Sequence, residues 1–123
     1  MSDYRKLEAW KLAHTTRLAI YRATSSYPRT ERFSLVDQTR RAASSITTNI
    51  AEGAGHDSPS QYVRYLNYAL GSANEVEDHL LLARDLGYLA PDLWSELGQD
   101  LARVRSMLTR LRQFMRRRAT GDG

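Results

Sequence analysis

Cysteine is absent from the 123 residues, which excludes a disulfide framework, a thiolate metal site and a cysteine nucleophile. No apolar run approaches the roughly 18–20 residues that a bilayer-spanning helix needs. The opening MSDYRKLEAWKLAH has no apolar signal-peptide core, so a cytoplasmic protein is the expectation. Strand signals are missing too: there is no Asn-Gly or Asp-Gly pair and no clean period-two run. Lysine is scarce, with two against sixteen arginines, a bias that genome base composition produces as readily as function does.

The usual chemistries are equally thin. The glycine turn AEGAGH lacks the Lys and Ser/Thr of a phosphate-binding loop. Ser44, Ser45, His14 and His56 are scattered, with no nucleophile elbow and no acid in a recognisable relation to them. Glu75, Glu77 and Asp78 with His79 look like a helical metal site. A di-iron bundle, however, needs Glu-x-x-His on two helices and a Glu on each of the others. Here Glu75 and His79 are four apart and the motif is not repeated. No metal, no cofactor and no catalytic activity are expected. His14 reads as a hydrogen-bonded core residue.

What is present is helical periodicity, centred on Gln38 to Gly55. Leu35, Thr39, Ala42, Ile46 and Asn49 recur at alternating four- and three-residue steps, with Val36, Ala43 and Ile50 alongside. The resulting face is apolar and mostly small, which lets neighbouring helices approach closely. Arg41, Ser45, Thr48 and Glu52 fall on a separate polar strip. Asn49 puts an amide into the apolar stripe, where it needs a hydrogen-bond partner or costs about 1–3 kcal/mol. Three further segments fit. The first runs from about Tyr4 to Ser26 with Leu7, Trp10, His14, Leu18 and Tyr21 on one face, and stops before Pro28.

After the loop PRTERF, Ser34 is a reasonable N-cap for the central helix, and Gly53 and Gly55 are its C-terminal punctuation. Ser58, Pro59 and Gln61 form a capping box. It opens a helix whose seam is Tyr62, Leu66, Ala69, Ala73, Val76, Leu80 and Ala83, with a break at Gly87. The last helix begins near Pro91 and carries Trp94, Leu97, Leu101, Val104, Leu108, Leu111 and Met115. These seams have the 3.5-residue period of left-handed bundle packing. Short connections make neighbours antiparallel, so the fold class is an all-α, up-down-up-down four-helix bundle. Residues 1–118 form one domain, and residues 119–123 form an unstructured tail.

Two surfaces carry the functional signal. Tyr68, Leu81 and Leu82 lie outside the third helix's seam, and such a second apolar patch suits an oligomer contact. Glu75, midway along it, wants a cation; Arg41 on the neighbouring helix is the candidate for a partly buried ion pair. The formal net charge is +4, but the positive charge is concentrated: seven arginines and no acid lie between Leu101 and Arg118. Arg103, Arg110 and Arg117 form one row and Arg105 and Arg112 another, with Arg116 and Arg118 at the end. Over about 20 Å of helix these guanidinium groups can span several phosphates. No base-reading module accompanies them, so binding of RNA or DNA would be indifferent to sequence. The alternative is a structural or protein-interaction module whose arginines solvate the seam or meet acidic protein surfaces.

RRAASSITTNIAEG, the capped helix after it and YALGSANEVEDHLLLARDLGYL resemble the bacterial four-helix bundle proteins of the ribosomal-RNA intervening-sequence family. The resemblance extends from about Leu7 to Leu111. It implies a homo-oligomer, five subunits being the first guess. Arg41, Asn49, Glu52 and Glu75 would be its polar signature. One branch of that family, the accessory variability determinants of diversity-generating retroelements, implies nucleic acid and a reverse transcriptase as partners. The chain departs from the family pattern at Thr47-Thr48, His56 and Gln61, where a proline, a basic residue and an acid are common. These changes leave the fold alone and the partner open.

Overall fold

A computed structural model describes residues 3–121 of the chain. After a short 3-10 turn at Tyr4–Lys6 come α1 (Glu8–Thr24), a second 3-10 turn at Arg29–Glu31, α2 (Leu35–Ala54), α3 (Pro59–Asp85) and α4 (Pro91–Thr120). Each helix packs on the next and α4 closes back on α1; among the described residues there is no strand. Cross-helix contacts fix the directions. Along the α3–α4 seam, Arg84 lies over Trp94, Arg105 meets Glu77 and Arg112 meets Asn67. Numbers rise on one helix as they fall on the other, so the pair is antiparallel. Leu7 and Ala9 lie beside Met107 and Leu111, and Ala19 beside Leu93 and Leu97, so α1 and α4 are antiparallel as well. The molecule is an up-down-up-down four-helix bundle.

Ile20, Ile50, Leu66, Leu80, Leu97, Leu101 and Leu108 are fully buried along its axis, each contributing about 1.5–3 kcal/mol of burial free energy. The seams of α3 and α4 are those the periodicity predicts, with Tyr62, Trp94, Leu111 and Met115 half-buried at their ends. α1 differs. Its buried row is Ala9, Ala13, Thr16, Ile20 and Ala23, while Leu18 and Tyr21, expected on the seam, are exposed. Both rows average 3.5 residues per step, and only the buried one alternates four and three strictly. The one with small side chains lets α1 sit close to its neighbours, leaving the bulky row at the edge. There Trp10 stacks on His14 at 4.9 Å and Tyr4 meets Trp10 edge-on. His14 is half-buried, its Nδ1 2.8 Å from Arg17 Nη2.

Three terminators also behave differently from expectation. Ser34 occupies the N-cap position of α2 but makes no capping bond; its hydroxyl donates to Glu31 Oε1 at 2.6 Å. Gly53 lies inside α2, where an added Cβ would come within 3.0 Å of Tyr62 Cδ1 and 3.1 Å of Tyr65 Cβ. Close α2–α3 approach, not termination, therefore requires that glycine. Ala119 and Thr120 complete α4, because nothing before Gly121 breaks the helix; Gly121 caps it with φ +79°. Ala119 and Thr120, expected in the tail, are thus helical, and the rest of that expectation falls on residues 122–123, which lie outside those described. At α3, Ser58 Oγ accepts from the Gln61 amide at 3.3 Å behind Pro59.

Candidate nucleic-acid interface

α4 is the longest helix, 30 residues or about 45 Å. Its buried stripe of Leu97, Leu101, Val104 and Leu108 separates the two arginine rows, and the rows have different fates. Arg105 and Arg112 turn toward α3. Arg105 Nη1 lies 2.7 Å from Glu77 Oε2, an ion pair off the line of a good hydrogen bond, and its side chain is only 28% exposed. Arg112 donates from Nη1 to Asn67 Oδ1 at 2.9 Å, and its Nε is buried without a partner. Both belong to the α3–α4 contact rather than to a free surface.

The other row faces the α1 side and solvent. Arg103 is 65% exposed, with Asp100 Oδ1 3.7 Å away. Arg110 borders Leu7 and Ala9 at the start of α1 and is exposed. Arg116, Arg117 and Arg118 are exposed in the last turns, Arg118 lying 5.7 Å over the Phe114 ring. No carboxylate lies within ion-pair distance of Arg110, Arg116, Arg117 or Arg118 among the described residues. Of the six arginines expected to bind nucleic acid, Arg110, Arg116 and Arg117 are thus exposed without an ion pair among the described residues, as is Arg118, while Arg103 is exposed beside Asp100.

The polar signature of Arg41, Asn49, Glu52 and Glu75 does not assemble into one cluster. Arg41 pairs with Asp37 one turn back on its own helix, Nε to Oδ2 2.9 Å, and is 79% exposed. Glu75, 57% exposed, has His79 Nε2 at 3.4 Å. The expected Arg41–Glu75 ion pair is therefore absent. Arg41 finds its carboxylate one helical turn away, without holding two long side chains across a helix contact, while the imidazole beside Glu75 makes no hydrogen bond to it. Glu52 faces His56 Nε2 at 3.9 Å. Asn49 does find its partners: its Nδ2 donates to the Ser45 carbonyl at 2.8 Å and reaches Ser45 Oγ at 3.0 Å, while Ser72 Oγ donates to Ser45 Oγ at 2.8 Å. Ser45, placed on the polar strip by periodicity, is the polar link between α2 and α3.

The apolar patch is exposed, with Tyr68 46%, Leu81 38% and Leu82 48% accessible, but it is split. Tyr68 meets Tyr65 edge-on and accepts a bond from Arg64 Nε at 2.8 Å. Leu81 instead lines a groove between α3 and α4 with Trp94 and Gly98. No cluster of three or more His, Asp or Glu side chains has metal-site geometry among the described residues, and no helix is long and apolar enough to cross a membrane.

An antiparallel four-helix bundle with a basic terminal helix defines the class. The chain belongs to the 23S rRNA-intervening sequence protein family, whose family model matches residues 5–110. It is similar in fold to a solved structure from Bacteroides thetaiotaomicron, described as a protein of unknown function from the S23 ribosomal protein family. The TM-score is 0.79 at 22% identity, over 85% of this chain and 95% of that one. No curated protein matches the chain.

Proposed function

We propose that the protein is a non-catalytic bundle that self-associates and binds structured RNA or another polyanion through the exposed end of α4. The observation that carries this reading is the arrangement of Arg110, Arg116, Arg117 and Arg118, solvent-facing and without an ion pair among the described residues. A stretch of positive charge without ion-pair partners attracts phosphates by counterion release. The family's association with 23S rRNA intervening sequences supports RNA as the polyanion. The exposed side chains of Tyr68 and Leu82 supply the contact for self-association, and the resemblance supplies five as its number. Repetition of α4 around an oligomer adds modest contacts into useful affinity.

Purification with and without a high-salt wash tests the reading through the ratio of absorbance at 260 and 280 nm. The expected result is copurified nucleic acid that the wash removes, and rebinding of an RNA hairpin at low salt. A chain that purifies free of nucleic acid and binds no hairpin at low salt contradicts it.

A further inference from the structure

The opposite end of the bundle holds a second basic feature that the α4 reading does not use. Where α1 turns into α2, a cleft of about 290 Å³ is lined by Thr24, Ser25, Tyr27, Arg29, Arg32 and Arg40. Its size is at the small end of ligand sites, about 300 Å³, enough for one small group rather than a duplex.

Three guanidinium-bearing side chains border this cleft, against two nearby acids: Asp37 is paired with a cation, and Glu31 keeps its charge, bonded by neutral groups only. Glu31, within the loop itself, accepts from Ser34 Oγ at 2.6 Å and from Tyr88 Oη at 3.0 Å. Asp37 is held by Arg41. Arg40 is fixed by neutral groups only: its Nε donates to Thr24 Oγ1 at 2.9 Å, and its Nη2 to the Tyr21 carbonyl at 3.0 Å and Ser25 Oγ at 3.3 Å. Its charge is thus oriented without being neutralised. Arg29 and Arg32 are exposed and form no ion pair among the described residues. Tyr27 is 6% exposed, and its buried hydroxyl has no hydrogen-bond partner. Beside the cleft, Phe33 is 88% exposed, with the Arg32 guanidinium 5.4 Å from its ring centre.

Planar guanidinium forks match phosphate oxygens bidentately, and an exposed ring beside a basic groove is a stacking platform for a base. We propose that this cleft binds the phosphate of a nucleotide, with Arg29 and Arg32 closing on its oxygens, Arg40 fixed at the wall and the base stacked on Phe33. The shared chemistry is a phosphorylated nucleoside, either free or as one unit of a single strand. The proposal is independent of the α4 surface.

Calorimetric titration of the intact chain at low salt with AMP, adenosine, inorganic phosphate and a short single-stranded oligoadenylate tests it. AMP is expected to bind in the millimolar range or tighter, and adenosine far more weakly. The pair Arg29→Gln and Arg32→Gln, both exposed, lowers AMP affinity about tenfold or more, whereas lysine at both positions restores part of it. Phe33→Ala brings AMP down to the level of inorganic phosphate and leaves phosphate binding unchanged. Arg110→Gln with Arg117→Gln leaves AMP binding intact, which separates this site from α4. Oligoadenylate binding tighter than AMP assigns the site to a strand, and equal binding assigns it to the free nucleotide. Absence of AMP binding, equal binding of adenosine and AMP, or indifference to the Arg29 and Arg32 changes overturns the proposal.

Discussion

Glu31 organises the α1–α2 loop at the scale of single residues. Its carboxyl is held below the ordinary value near 4.5 by the Ser34 hydroxyl first, then by the Tyr88 hydroxyl and the Leu35 amide. A carboxylate whose folded pKa is depressed contributes stability above its unfolded pKa, and loses it as pH falls through the folded one. Glu31→Gln should therefore lower the urea midpoint near neutral pH. The gap to the parent chain should shrink toward about pH 3; a gap that stays constant across that range contradicts the assignment. Tyr27 is the converse case, a hydroxyl buried with nothing to bond and pushed up to about 12 by burial. Replacing it with Phe removes an unsatisfied polar atom, so thermal unfolding should show no loss of stability and up to about 1 kcal/mol of gain. The two arginine rows separate at this scale too. Arg105→Gln should cost on the order of 1 kcal/mol, because it breaks a half-covered pair with Glu77, whereas Arg110→Gln should leave the melting temperature unmoved.

Among the elements, α3 and α4 were legible almost residue by residue. Both carry an apolar row at strict four-three spacing, and burial follows that row. α1 was not, because two rows share the period and hydrophobicity favours the wrong one. Close packing selects the alanines instead, a preference set by the neighbouring helices and invisible within one segment. The same reason hid the role of Gly53, which reads locally as a terminator and works as a spacer. The basic helix was legible as charge, but its division was not. That Arg105 and Arg112 are held by Glu77 and Asn67 depends on which face of α3 lies opposite. The α1–α2 cleft gave no periodic signal at all, since it forms from an irregular loop and the ends of two helices. Glycine substitutions test the packing account. Gly53→Ala should destabilise by about 1–3 kcal/mol, since its Cβ would collide with Tyr62 and Tyr65. Gly98→Ala meets no atom within 4 Å and should stabilise by up to about 1 kcal/mol through helix propensity. Equal effects from the two changes, read by chemical denaturation, would contradict the close approach of α2 and α3.

For the whole molecule the two ends differ in kind. One presents the free arginines of α4, and the other the cleft beside Phe33. The exposed row of Tyr68 and Leu82 lies between them on α3. Light scattering at micromolar concentration should report an oligomer, and charged residues at Tyr68 and Leu82 should reduce it to a monomer. A monomeric parent chain would remove multivalency from the account and leave α4 to act alone.

The central claim, that the end of α4 contacts phosphates, is tested most directly by the salt dependence of RNA-hairpin binding in the parent chain and in the double variant Arg110→Gln, Arg117→Gln. Log affinity should fall linearly with log salt. The double variant should flatten that slope by roughly 1.4–1.8, about 0.7–0.9 for each lost phosphate contact, while helicity and oligomer size stay unchanged. An unaltered slope in the double variant, or a parent chain with no RNA affinity at moderate salt, would contradict the claim.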